Sequence, residues 1–405
     1  MRATVPRAEF ADAAGWVARH LPARTAPGPV AGAGLLIDAG EQLTLSSFDY
    51  QVALTATLDV AATAPGTALL PGRLVAEIMR SLPDESVQLT VEEGWLLVRA
   101  AGAHYRVPTL PLDDFPQLPA FPPPMGEVDT LGFAAAVSQV VPAAAKDETF
   151  PVLTALRLEF ATHGLTLVAT DRYRLAVRTI PWQPSVRAPE AVAHVPARLL
   201  SELARVPTVA SRIALGLGAD DDGGPRFGLS TGARRMVVRL VDGAFPHYRR
   251  LFPDSVPLSA SAQVGPLVSA IRRVAVVAPR TGPVVRLTLS GGMLTADVGP
   301  DAGTTTTSTD PGQLGLASAT DSVPVDYDGP ELVAWYNPAY LLDGLGAVDG
   351  DEVTIGFAST DPQEAASSPA ILTGKDDDGY RYVLMPIVRG NGPAAASPGS
   401  VVEGR

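Results

Sequence analysis

The sequence contains no cysteine. That excludes disulfides, thiolate metal sites and a cysteine nucleophile, and it fits a cytoplasmic chain. Histidine is scarce: His20, His104, His163, His194 and His247 are the whole supply. None stands at zinc-ligand spacing from another, so no metal or other cofactor is expected. There is no GxxxxGK[ST] loop for a nucleotide, and the Asp runs at 220–222 and 376–378 lack the spacing and closing Glu of a calcium loop. Long apolar runs are missing too, so no segment is expected to span a bilayer. The first residues, MRATVPRAEFADAAGWVARHLP, read as an amphipathic helix rather than a signal peptide. Positive charge is in deficit, with 31 Lys and Arg against 43 Asp and Glu and a net charge of −12. Taken alone, that balance opposes nucleic acid as a partner, because phosphate contacts need Lys and Arg. Placement, however, counts for more than the total.

What is present is a repeating pattern over 405 residues that are 46 % hydrophobic. Six segments share one form: a start signal, often Pro, then apolar residues at helical spacing, then a Pro, Gly or Asp stop. They are VPRAEFADAAGWVARHLP from Val5, LPGRLVAEIMRSLPD from Leu70, LGFAAAVSQVVPAAAKD from Leu131, VPARLLSELARVP from Val195, VGPLVSAIRRVAVVAP from Val264 and NPAYLLDGLGAVDGD from Asn337. Proline suits the first helical turn, where its missing N–H is no loss. Between the segments lie alternating runs such as VQLTVEEGWLLVRA, RRMVVRLVDG and VRLTLSGGMLTADVG, the pattern of half-buried antiparallel strands. The order helix, strands, helix, strands recurs three times at about 130 residues per repeat, close to one ordinary domain. The fold class is therefore α+β: three similar domains, each with two helices on antiparallel sheet. Pro-rich stretches at Pro122–Pro124 and around Pro253 mark the seams, giving domains at 1–124, 125–253 and 254–390 with a disordered tail at 391–405. GPDAGTTTTSTDPGQLGLASATDS is expected to be a long exposed loop.

The most specific segment runs from Pro151 to Arg178, PVLTALRLEFATHGLTLVATDRYRLAVR. By itself its Thr170-Asp171 reads as turn chemistry. With RLVDGAFPHYRRLFP (Arg239–Pro253) and YRYVLMPIVR (Tyr380–Arg389) it resembles the bacterial DNA polymerase III beta sliding clamp family. ATDRYRLAV, LVDGAFPHYRRL and YRYVLMP stand in that family's order and spacing, and NPAYLLDGLGAVDGD and FPVLTALRLEF match as well. The resemblance covers roughly residues 1–390 and is weakest in the first third.

The resemblance implies a processivity factor and no enzyme. Three sliding-clamp domains per chain would close head to tail in a homodimeric ring around double-stranded DNA, with twelve helices lining the hole. The basic residues on or beside the helices agree: Arg7, Arg19 and Arg24, Arg73 and Arg80, Lys146, Arg198 and Arg205, and Arg272, Arg273 and Arg280, with only acid on the sixth. All of these except Arg7 are candidate DNA contacts. The implied partners are a DNA polymerase, the clamp loader and other proteins with a clamp-binding tail. Carried over by position, the peptide pocket between domains 2 and 3 comprises Leu153, Thr170, Arg172, Tyr173, Arg174 and Leu175; Pro246, Arg250 and Leu251; Asn337 and Tyr340; and Val383, Met385, Pro386 and Ile387. The dimer contact would use Tyr105, Val276 and Val277. One departure stands out: Val388 occupies a position where the family often has a basic residue, and a long tail follows. The divergent first third, the Thr-rich loop and the tail raise the hypothesis of a duplicated or specialised clamp, one with other polymerase preferences or tolerant of an inhibitor in the peptide groove, hence a role in antibiotic resistance.

Two other classes compete. Gly228-Leu229-Ser230-Thr231-Gly232 fits the G-x-S-x-G elbow of serine hydrolases, which needs a strand before and a helix after. The following ARRMVVRLVDG alternates as a strand, which favours a hairpin turn over a nucleophile at Ser230. The third class is a β-rich scaffold that binds protein partners without DNA.

Overall fold

The computed structural model describes residues 1–21, 34–83, 85–185, 190–204, 210–219, 224–253, 255–279, 282–299, 317–375 and 377–388. Arg24, Arg205, Arg280, Asp220–Asp222, Asp376, most of the Thr-rich segment and the tail 391–405 lie outside the described residues.

All six expected helices form: α1 (Arg7–Val17), α2 (Gly72–Ser81), α3 (Thr130–Val140), α4 (Ala197–Ala204), α5 (Val264–Ala275) and α6 (Pro338–Gly346). A seventh, α7 (Pro362–Ser367), was not expected; Asp361 caps it by accepting from Gln363 and Glu364 N–H. Each of the six follows a strand directly or within one residue. The prolines act as corners between the two: Pro6 and Pro71 are the extended caps of α1 and α2, and Pro338 opens α6. Helical spacing then selects the buried face. In α5 Leu267, Ala270, Ile271 and Val274 are buried, while Arg272 and Arg273 point outward.

The chain forms two compact units. The first comprises Met1–Ala135, Arg157–Leu165 and Ile180–Asp242. It contains a four-stranded antiparallel sheet in the order Arg2–Pro6, Ser86–Glu92, Trp95–Ala100, Ala103–Pro108. Its larger, nine-stranded sheet includes a ladder that joins the first and second repeats: Arg234–Arg239 runs antiparallel to Val52–Leu58, with Met236 opposite Leu54. The second unit holds Ala136–Leu156, Thr166–Thr179 and everything from Gly243. There Arg174–Arg178 pairs antiparallel with Tyr380–Leu384, and the sheet continues through Ala370–Gly374, Glu352–Phe357 and Leu258–Gln263. The second repeat is thus divided between the units.

The G-x-S-x-G stretch is a strand, a turn and a strand. Pro225–Ser230 pairs with Arg234–Arg239, and no helix follows Ser230. Gly232 takes the left-handed turn conformation at φ 79°, and its N–H donates to Ser230 Oγ at 3.3 Å. Gly228 is there for packing: a Cβ on it would lie 2.7 Å from the Phe121 ring and from Pro122 in the connecting segment. Two other expectations shift. The exposed loop ends sooner than expected, since Ala319–Asp326 is a strand in a period-two pattern that buries Val323 and Val325. Asp377 sits in the last strand and pairs with Arg178, so it is not a solvated turn acid.

Candidate functional site

All fifteen residues expected at the peptide pocket belong to the second unit. The turn at 170–174 is built by its own side chains. Thr170 Oγ1 donates to Arg174 O at 2.6 Å and accepts from Arg172 N–H at 3.1 Å. Asp171 Oδ1 accepts from Tyr173 and Arg174 N–H, each at 3.0 Å. The turn chemistry seen in the sequence is therefore real, and it holds Tyr173 up: that ring is 54 % exposed although large and apolar.

Beneath it Arg174 is buried at 4 % exposure. Its Nε donates to Asp171 Oδ2 at 2.9 Å and its Nη1 to Asp343 Oδ2 at 2.5 Å. The guanidinium lies 4.2 Å from the Tyr340 ring centre, and Tyr340 in turn stacks on Tyr173 at 6.5 Å. Tyr382 donates to Tyr340 O at 2.7 Å. Burial raises the Tyr382 phenol well above its ordinary pKa, so it stays a neutral donor. Desolvation is the largest single influence on Arg174, but Tyr382, Asp343 and Asp171 together outweigh it and its pKa is raised. Arg174 is a strut for this surface.

The segment just past the C-terminal strand Asp377–Leu384 is tied to the same turn. Met385 N–H donates to Tyr173 O at 2.9 Å and Ile387 N–H to Trp335 O at 2.8 Å. Met385 is exposed; Pro386 and Ile387 are half-buried. Leu251 is exposed at the end of the short turn Tyr248–Leu251, beside exposed Pro246 and Arg250. Leu153, Leu175 and Val383 are buried; the last two form a cluster with Val168, Phe245, Tyr248 and Ile371. The structure thus buries Leu153, Leu175 and Val383 and leaves Tyr173, Leu251 and Met385 exposed. Asn337 caps α6, its Oδ1 accepting from Ala339 N–H at 2.9 Å and Tyr340 N–H at 3.4 Å, so its carbonyl is already engaged.

Sequence reasoning missed two residues here. Asp343, read only as an acid on the sixth helix, is the counter-ion of Arg174. Phe150 is exposed and carries the Arg172 guanidinium 4.7 Å above its ring centre. An aromatic residue in a polar, predicted non-helical stretch was the available signal.

The basic residues sort unevenly. Arg19 and Arg80 flank a cleft of about 410 Å³ between α1 and α2, shared with Asp12 and Glu77. Arg73 is half-buried and lines the same cleft, with its Nε donating to Leu21 O at 2.8 Å. Lys146 and Arg272 are exposed. Arg198 pairs with Glu202 at 3.1 Å, and Arg273 with Asp321 at 2.5 Å. At the expected dimer contact, Tyr105 lies on Ala103–Pro108, the edge strand of the four-stranded sheet. Val276, just after α5, is 82 % exposed, and Val277 is half-buried. Among the described residues no helix is long and apolar enough to cross a membrane, and no group of three or more His, Cys, Asp or Glu could hold a metal ion.

Comparison with known proteins agrees across the chain. The models of the DNA polymerase III beta subunit match in order: the N-terminal domain over residues 1–119, the central domain over 127–247 and the C-terminal domain over 249–388. The beta sliding clamp of Streptomyces coelicolor is 38 % identical over 389 residues, covering 96 % of this chain and 99 % of that one. The beta sliding clamp homolog GriR of Streptomyces muensis is 33 % identical, with the same coverage. The crystal structure of a Pseudomonas aeruginosa sliding clamp bound to griselimycin superposes with a TM-score of 0.84 at 27 % identity, covering 96 % of this chain and all of that one. The chain belongs to the bacterial beta sliding clamp family, the non-enzymatic beta subunit of DNA polymerase III.

Proposed function

We propose that this chain works as a DNA sliding clamp in the cytoplasm: two copies close head to tail into a ring that encircles duplex DNA and tethers polymerase, clamp loader and repair proteins. The three clamp domains would occupy residues 1–124, 125–253 and 254–390. The observation that carries the tethering half is the Tyr173–Tyr340–Met385 surface, an exposed apolar rim over a buried floor and braced from below by Arg174. Apolar anchors with a flexible Met suit capture of short peptide tails. Leu153, Leu175 and Val383 shape the floor, and Arg250, Pro246, Leu251, Pro386 and Ile387 extend the rim.

Arg19, Arg80, Lys146 and Arg272 would supply weak, sequence-independent attraction to phosphate. Arg73, Arg198 and Arg273 contribute less, because each already has a protein partner. Retention comes from topology, so tight grip is not needed. The free edge strand at Tyr105 and the exposed Val276 suit the ring-closing contact. Likeness to GriR, and to a clamp crystallised with griselimycin, supports reading this chain as a specialised, inhibitor-tolerant copy.

The deciding measurement is retention on circular against linear DNA after loading. A ring stays on the circle and slides off the linear ends; equal loss from both would refute the topological claim.

A further inference from the structure

The second residue missed by sequence reasoning points to a specificity device on the peptide groove. Arg172 has φ +78°, a left-handed conformation in a residue that is neither glycine, asparagine nor aspartate. That conformation is disfavoured in an L-residue, and it is enforced by the Thr170 and Asp171 hydrogen bonds around it. An arginine held there against its local preference invites a functional reason.

Its position supplies one. The guanidinium is exposed and lies over the Phe150 ring. Phe150 belongs to the groove's own framework, since its carbonyl accepts from Leu153 N–H at 2.9 Å. Stacking on an aromatic face fixes the cation in place while leaving its N–H edges free to donate. The nearby Asp147 carboxylate accepts at Oδ1 from Thr149 N–H at 2.9 Å and Thr149 Oγ1 at 2.7 Å, and it also feels the Arg172 charge. Asp171 and Asp343 are held by Arg174, and Glu148 is exposed to solvent. Arg250 adds another exposed cation on the rim. The groove therefore offers apolar anchors beside a pre-oriented, exposed positive charge.

We infer that Phe150 and Arg172 form an added station of the groove that takes a carboxylate flanking the apolar anchors of a bound peptide, so that this protein selects acidic tails. The inference rests on the peptide-groove reading. Phe150 is a positioning residue that holds the guanidinium, and Arg172 makes the contact.

The test uses fluorescence polarisation with two short synthetic peptides that share Leu-Phe anchors and differ only in a flanking Asp or Asn. On the natural chain the Asp peptide binds roughly three- to fivefold tighter at low salt, as expected for one partly exposed charge contact. The advantage shrinks at about 0.5 M salt. On Arg172→Gln the two peptides bind alike, and on Phe150→Ala the preference is reduced. Arg172→Gly, whose backbone suits the turn, guards against misfolding and also loses the preference. Equal binding of both peptides to the natural chain, or a preference that survives both Arg172 variants, overturns the station while leaving the groove intact. If neither peptide binds the natural chain, the groove reading itself falls.

Discussion

Arg174 and Asp343 are 169 positions apart in sequence, yet Nη1 of one donates to Oδ2 of the other at 2.5 Å. The pair ties the turn at 170–174 to the helix Pro338–Gly346, beneath the surface proposed to take a peptide. Arg174→Ala leaves Asp171 mostly buried without its partner and removes the cation from the Tyr340 face. A loss of about 2–4 kcal/mol is expected, slightly below the usual figure for a broken buried pair because Asp343 is partly exposed. Urea denaturation would measure it. Asp343→Asn should cost under about 1 kcal/mol, since the neutral amide still accepts and the site is near water.

The turn at Arg172 sets stability against specificity. Arg172→Gly should raise stability by roughly 1 kcal/mol by relieving the left-handed backbone, while the preference for an acidic peptide disappears. Thermal unfolding and peptide titration on the same preparation check both halves. A destabilised glycine variant would mean that the Phe150 contact outweighs the backbone preference.

Acid should weaken the first unit through two histidines. Burial is the main cause holding His20 below the ordinary imidazole value, against the opposing pull of Glu202 and Asp49. Burial and then the Arg157 charge do the same to His194. The unfolded chain takes up these protons near pH 6.5 and the folded chain only at lower pH. Their contribution is therefore complete above about pH 7 and is lost as pH falls from 6.5 through the folded values. Replacing His194 with Gln should flatten that part of the profile, read as urea midpoints between about pH 7.5 and pH 5. An unchanged slope would assign the acid loss to carboxylates.

Gly228 and Ser230 separate packing from chemistry. Gly228→Val places a side chain where Phe121 and Pro122 already sit, and overpacking of this kind costs about 1–3 kcal/mol. Ser230→Ala should change stability by less than about 0.5 kcal/mol, the usual range for such surface positions. Neither the natural chain nor the variant should turn over an ester; turnover abolished by Ser230→Ala would revive the hydrolase reading.

Tyr336 offers a stabilising change. Its hydroxyl is buried and finds no hydrogen-bond partner among the described residues, and burial raises its pKa strongly. Tyr336→Phe removes an uncompensated polar group, so stability should hold or rise by about 1 kcal/mol. A fall in melting temperature would show that the hydroxyl is satisfied in solution.

Much of this was legible beforehand, for identifiable reasons. Proline corners and helical periodicity located all six helices; α2, α4 and α5 have one sharply apolar face, while α1 and α3 were marked more by their apolar content between start and stop signals. The short helix Pro362–Ser367 escaped notice because one and a half turns carry no periodicity. Tyr173 and Met385 were singled out through family strings. That Leu175 and Val383 would be buried and Tyr173 exposed was not readable, since apolar surface and core residues are alike in composition. Nor could sequence separate Arg73, spent on the Leu21 carbonyl, from Arg80, which stays at the surface. Such distinctions depend on long-range partners: Asp343 for Arg174, Leu21 for Arg73, Phe121 for Gly228.

The ladder between Arg234–Arg239 and Val52–Leu58 bears on how such a protein can diverge. It joins the first two repeats through main-chain N–H and C=O groups, which every residue but proline supplies in full. Exposed side chains along these strands can therefore be exchanged freely without loosening the joint. Surface change in the first third can therefore leave the same mechanical connection in place, so new partner preferences can arise there while the architecture stays intact.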